Sequence, residues 1–274
     1  MLKDILVVLE DSDKAATPYA LALAQRFECC VTAARPRRDL SLMTDGSLEA
    51  RLEYARGDHE ARDARARQML EDFGMRAKAA GVEAEIVDFD GPGNLEPRDI
   101  PLFARCFDLV IVEQVEPGRP PNMNDLTGAL LAESGRPVVV VPGIQRDPAR
   151  FERFVGAWDG SRAAARALGD AAPLLARAER VEIVATGSAI SSQSVVTSGE
   201  RIARRFARRG VDASFRRIPG DGDPANILLS HAADMSADMI VAGGYGHSRL
   251  REAILGGVTR TLLGSMTVPV FLSH

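Results

Sequence analysis

No run in this 274-residue chain is apolar for long enough to cross a bilayer. Its opening, MLKDILVVLED, sets charges inside the first apolar run, so it reads as neither a leader peptide nor an anchor, and the expected location is the cytoplasm. Cysteine is scarce: Cys29, Cys30 and Cys106 are the whole set. Adjacent cysteines rarely bridge and an odd count suits a reducing compartment, so Cys29 and Cys30, in the apolar run FECCVTAA, read as buried structural thiols of a strand. Positive charge is not in excess either. The formal net charge of −4 argues against a general nucleic-acid binder. Catalytic signatures are missing as well. There is no phosphate-loop lysine motif, no HExxH and no Gly-x-Ser-x-Gly elbow, and the four histidines (His59, His231, His247, His274) show no metal-ligand spacing.

What is present is a core-forming composition, 46% hydrophobic and 26% charged, in a chain long enough for two domains of ordinary size. The pattern occurs twice. Ile5-Leu-Val-Val-Leu9 leads through Glu10-Asp11-Ser12 into KAATPYALALAQRF, and Phe154-Val-Gly-Ala-Trp158 leads through Asp159-Gly160-Ser161 into RAAARALGDAAPLLARA. Each reads as strand, acidic turn, amphipathic helix. Apolar runs at 29–34 and 181–186 follow. Helices are then expected at about 48–80 and 195–209, closed by Gly81 and Gly210, and strands at 82–89 and 211–218. DLVIVEQ (108–114) matches DMIVAGG (238–244), and RPVVVVPG (136–143) matches TVPVFLSH (267–274). Strands without alternation, separated by helices, predict parallel sheets covered on both faces. The expected organisation is a duplication, 1–145 and 150–274, with its boundary near 144–151 in the polar IQRDPAR. The mixed charges of 48–80 and the five arginines of ERIARRFARRG read as solvated helix faces. His231, in ILLSHAADM, reads as a partly buried packing residue.

The most informative stretch is GGYGHSRLREAILGGVT, spaced Gly243-x2-Gly246-x9-Gly256-Gly257 directly after the strand MIVAG. A glycine turn between a strand and a helix start aims bare N–H groups and a positive helix end at one spot, which suits phosphate. Asp159, at the carboxyl end of its strand, is placed to accept bonds from ribose or an adenine amino group, or simply to cap the next helix. His247 reads equally as a phosphate contact and as an exposed loop histidine.

Taken in order, Trp158-Asp159-Gly160-Ser161, GDPANILLSHAADMSADMIVAGG (222–244), the glycine spacing and Val268-Pro269-Val270-Phe271 resemble a tandem universal stress protein over nearly the whole chain. The resemblance implies an α/β fold of two doubly wound five-stranded parallel-sheet domains, adenine nucleotide alpha-hydrolase-like, forming a pseudo-dimer, and the halves are expected either to pair the edge strands at 138–141 and 268–271 or to pack the faces beside them. Some family members bind ATP and others lack the loop. For this chain it implies an adenine-nucleotide site built from Ala157, Trp158, Asp159, Gly243, Gly246, His247, Gly256, Gly257, Val258 and Thr259. ATP, or ADP or AMP, with or without Mg²⁺, is the expected ligand, with neither nucleic acid nor membrane as partner and a homodimer as a further assembly. The family pattern has Ser or Thr where Gly257 stands. The lost hydroxyl is worth about 0.5–1.5 kcal/mol, and Thr259 is a possible substitute. The first half has Glu113 and Glu116 at the positions of Gly243 and Gly246, with Pro117, Pro120 and Pro121 nearby, so it is expected to bind no nucleotide. A binding module is expected in preference to an enzyme. Any turnover would be weak ATP hydrolysis, with Asp159 as the only candidate base; a vestigial site in a pure interaction protein is the other reading.

Overall fold

The structure, a computed structural model, describes residues 2–9, 15–36, 59–89, 99–114, 126–145, 149–244 and 257–274. In the first half the strands are β1 (Asp4–Val8), β2 (Cys30–Arg35), β3 (Ala84–Asp88), β4 (Leu109–Glu113) and β5 (Val138–Val141). They alternate with helices α1 (Ala16–Phe27), α2 (His59–Ala79), α3 (Asp99–Ala104) and α4 (Leu126–Glu133). The second half repeats the series with β6 (Arg153–Ala157), β7 (Arg180–Thr186), β8 (Asp212–Ile218), β9 (Met239–Gly243) and β10 (Val270–Ser273). Its helices are α5 (Arg162–Asp170), the one-turn α6 (Ala172–Leu175), α7 (Gln193–Ala207), α8 (Pro224–Asp234) and α9 (Gly257–Ser265).

All ten strands form one sheet, ordered β3-β2-β1-β4-β5-β10-β9-β6-β7-β8. Every pairing within a half is parallel. The halves join where β5 meets β10 antiparallel, with Val140 opposite Val270 and Val138 opposite Leu272. Of the two arrangements expected, pairing of the duplicated last strands or packing of the faces beside them, the structure has the pairing. All eight residues of the two strands are buried, because helices cover both faces of the sheet. Two apolar cores result, one per face, and each runs through both halves. Val139, Val141 and Phe271 belong to one, Val138, Val140, Val270 and Leu272 to the other. Phe151, between the halves, packs edge-on against Tyr19 and Phe27 of α1, at 5.5 and 5.8 Å between ring centres. Arg26 and Arg177 exchange guanidinium bonds to each other's carbonyl oxygens across the same seam.

Three details differ from the sequence expectation. The helix expected at 48–80 is described from His59 only, and the part before it lies outside the described residues. The single helix expected after Asp159-Gly160-Ser161 is broken at Ala171, since Pro173 has no N–H to continue the ladder. Only Cys29 is a buried thiol; it precedes β2 and donates to the Leu2 carbonyl. Cys30, the first residue of β2, is half-buried, and Cys106 is exposed. Burial pushes the Cys29 thiol up to about 11. Gly81 and Gly210 do close their helices, at φ +65° and +86°. No helix among the described residues is long and apolar enough to cross a membrane.

Two expected outcomes follow from this packing. Phe271→Ala removes a buried ring from the seam and costs about 3–5 kcal/mol, read as a lower urea midpoint. At pH 8 a maleimide labels Cys106 rapidly, while Cys29 reacts only after denaturant is added.

Candidate functional site

In the second half the chain runs outward in one direction through β6, β7 and β8, and in the other through β9 and β10. The strand order therefore reverses between β6 and β9, and the carboxyl ends of those two strands flank the crevice where ligands of open parallel sheets sit. Asp159 follows β6 and Gly243 ends β9, so the structure brings these two expected site residues to the same place.

The turn after β6 is built residue by residue. Ala157 is half-buried at the strand end. Trp158 is buried, and its indole N–H donates to the Val195 carbonyl at 3.1 Å and to Ser198 Oγ at 3.2 Å. Its side chain is thus spent on fixing α7, and the crevice gains only its backbone. Asp159 is exposed. Its Oδ1 accepts from the Ser161 N–H at 2.8 Å, which makes a side-chain turn, and Oδ2 has no partner among the described residues. The cap of α5 is Ser161, whose hydroxyl accepts from the Ala164 N–H at 3.1 Å. Asp159 therefore stabilises the turn without capping the helix, and its Oδ2 is left unused by the described residues. Gly160 is held at φ +80°, and a Cβ there would come within 2.9 Å of Val195.

Gly243 has a packing reason of its own. A Cβ at this position would lie 2.5 Å from the Ala164 nitrogen and 2.6 Å from the Ala163 carbonyl carbon, so the strand end and the first turn of α5 touch backbone to backbone. Beyond β9, α9 is described from Gly257, where a Cβ would meet none of the described residues within 4 Å. Val258 is 40% exposed, while Thr259 is 4% exposed. The hydroxyl considered as a substitute for the one missing at Gly257 is therefore on a buried residue. Thr261 ties α9 to the start of α8 by donating to Asp223 Oδ2 at 2.9 Å, while Asp223 Oδ1 accepts from the Ala225 N–H. Gly246, His247 and Gly256 lie outside the described residues. Sequence reading did not single out Arg162, exposed at the first position of α5 beside the Asp159 turn. No motif marks such a residue.

The first half treats the same place differently. Glu113 ends β4 as Gly243 ends β9, and its Oε2 accepts from the backbone N–H groups of Ala15 and Ala16 at 2.9 and 3.2 Å. Ala15 has no side chain able to cap α1, so the carboxylate reaches across from the neighbouring strand to do so.

A doubly wound parallel sheet with helices on both faces defines an α/β fold class, and comparison with known proteins narrows it. A profile of the Universal stress protein family matches residues 150–274. Universal stress protein YxiE of Bacillus subtilis (strain 168) is 30% identical over 148 residues, which are 44% of this chain and 98% of that protein. The chain belongs to the universal stress protein family. Among solved structures, a universal stress protein from Archaeoglobus fulgidus DSM 4304 superposes with a TM-score of 0.68 at 16% identity, covering 98% of this chain and 95% of the other. A putative universal stress protein from Pseudomonas aeruginosa UCBPP-PA14 gives 0.58 at 17% identity, covering 99% and 93%. These likenesses show that the fold recurs along the whole chain.

The two glycines at the crevice respond oppositely to the same change. Gly243→Ala is expected to cost about 1–3 kcal/mol by forcing α5 off the strand end. Gly257→Ala, at a helix start that no described residue crowds, is neutral or stabilising by up to about 1 kcal/mol. Thermal denaturation of the two variants reads both signs.

Proposed function

We propose that the second half binds an adenine nucleotide, with ATP first among ATP, ADP and AMP, and that the chain acts as a stress-linked binding module and not as a fast enzyme. The observation that carries this reading is the reversal of strand order between β6 and β9. An exposed carboxylate, Asp159, and a helix start, Gly257, that no described residue crowds, flank this reversal. In this reading Asp159 takes ribose hydroxyls or the adenine amino group through its Oδ2. The backbone of Ala157 and Trp158 lines the base side. Gly246, His247, Gly256, Gly257, Val258 and Thr259 carry the phosphates on main-chain N–H groups at the start of α9, with Mg²⁺ as an optional companion of the phosphates. Gly243 contributes by letting α5 pack close enough to shape the crevice.

The first half, in the same proposal, is a universal stress protein domain that has given up the ligand. The Glu113 carboxylate already satisfies the donors at the start of α1, so an incoming phosphate would meet a like charge in place of free N–H groups. Its role is to supply the partner strand β5. Among the described residues of the second half no group beyond Asp159 is placed as a base, and turnover is expected to be slow or nil.

The test is titration calorimetry of the full chain with ATP, ADP and AMP, together with analysis of any nucleotide released when the purified protein is denatured. One site per chain is expected. Asp159→Ala weakens it, and Gly257→Ser strengthens it by up to roughly tenfold through the restored hydroxyl, with no cost in stability. No heat at millimolar nucleotide and no carried-over nucleotide would favour an interaction protein with a vestigial site.

A further inference from the structure

Away from the crevice, β7 buries a carboxylate that the fold does not require. Glu182 pairs in register opposite Val155 of β6. The matching position of the first half, opposite Leu6 of β1, is Thr32. The Glu182 side chain is 2% exposed. Oε2 accepts from His231 Nε2 of α8 and from Arg216 Nε of β8, the latter at 3.1 Å. Oε1 stands 3.6 Å from Arg180 Nη2 and accepts from Ser214 Oγ at 3.4 Å. Burying this charge is tolerable only because partners surround it. One consequence falls on the histidine. An imidazole that donates Nε2–H to a carboxylate keeps Nδ1 as a lone pair in a fixed orientation.

His231 is not sealed in. Its side chain is 13% exposed and lines an open groove of about 340 Å³ beside the end of β8, with Ile218, Asn226, Ile227, Ser230 and Asp234. Asp234 lies three residues on, on the same helix face, and is the last residue of α8. The i, i+3 spacing puts the imidazole and the carboxylate on one helix face, as in the Glu-x-x-His pairs of carboxylate-bridged metal bundles but with the order reversed and the shorter acid. The carboxyl end of a helix favours a cation, and Asp234 adds a full negative charge there. A nitrogen lone pair with a carboxylate suits a borderline divalent ion over Mg²⁺ or Ca²⁺.

We propose that His231 Nδ1 and the Asp234 carboxylate bind a divalent transition metal ion such as Zn²⁺, with Glu182 holding the imidazole from behind. Among the described residues no three His, Cys, Asp or Glu side chains are grouped to hold a metal. The site therefore offers two protein ligands and leaves the remaining positions to water, so it is weaker than a closed structural zinc site. Glu182 is a positioning residue in this arrangement, and Arg216 compensates its charge.

The experiment is calorimetric titration of the tag-free full chain with ZnCl₂ and, separately, MgCl₂, without nucleotide, so that it stands apart from the crevice at β6 and β9. The expected result is one zinc site and no magnesium heat. His231→Ala and the exposed Asp234→Asn each weaken zinc at least roughly tenfold, and Glu182→Gln weakens it by roughly 10–100-fold. Substituting Cu²⁺ gives a spectroscopic check, since nitrogen hyperfine coupling from one imidazole should vanish in His231→Ala. If Glu182→Gln does not fold, the His231 and Asp234 variants decide alone. Absence of zinc heat in the unmodified chain overturns the proposal, as does zinc binding unchanged in both of those variants. A folded Glu182→Gln with unaltered zinc affinity removes the positioning role.

Discussion

The antiparallel contact between β5 and β10 is what turns two five-stranded sheets into one molecule. A parallel sheet buries apolar side chains on both faces, and a β5 or β10 left at an edge would expose a row of unpaired backbone groups flanked by valine and phenylalanine. Pairing the two removes both edges at once and lets each face's core continue from one half to the other. The edges that remain are β3 and β8, and they are of another kind. β3 carries Glu85 and Asp88, and β8 carries Arg216 and Arg217, with most residues of both strands in contact with water. Charged edges of this sort resist further strand addition.

The halves answer one electrostatic demand in two ways. Every helix start leaves N–H groups in want of an acceptor. At α1 the want is met from inside the chain by Glu113, and at α5 it is met locally by Ser161. One consequence is that the end of β4 must be a long acidic residue, whereas the end of β9 must have no side chain at all. Glu113 and Gly243, at matching positions, therefore differ for reasons of packing as much as of ligand chemistry.

Much of the fold was legible in the sequence because buried parallel strands are short apolar runs punctuated by turns. Val138–Val141 and Met239–Gly243 are readable with no knowledge of their neighbours. The repeat then supplied the pairing of the last strands as one of two arrangements. Asp159 and Gly243 were legible as neighbours at the ends of adjacent strands because strand ends are predictable from the winding order. What was not legible depends on contacts between segments far apart in sequence. Gly243 is tight against Ala163 and Ala164, which no spacing reveals. The Glu182–His231 pair spans 49 residues, and each partner alone looks ordinary, one charge in a strand and one histidine in a helix. Cys30 looked buried because it sits in an apolar run, but as the first residue of β2 it meets solvent at the strand mouth.

The position of β10 has a bearing on the order in which the molecule is made. The strand formed by residues 270–273 lies sixth among ten, in the middle of the sheet, although it is the last to be synthesised. While the second half is still emerging from the ribosome, the first half can assemble β1 to β5 but must hold four valines of β5 at an open edge. That edge is a template for any passing strand until its own partner arrives. The charged borders at β3 and β8 protect the finished protein, and β5 gains its protection only when β10 pairs with it.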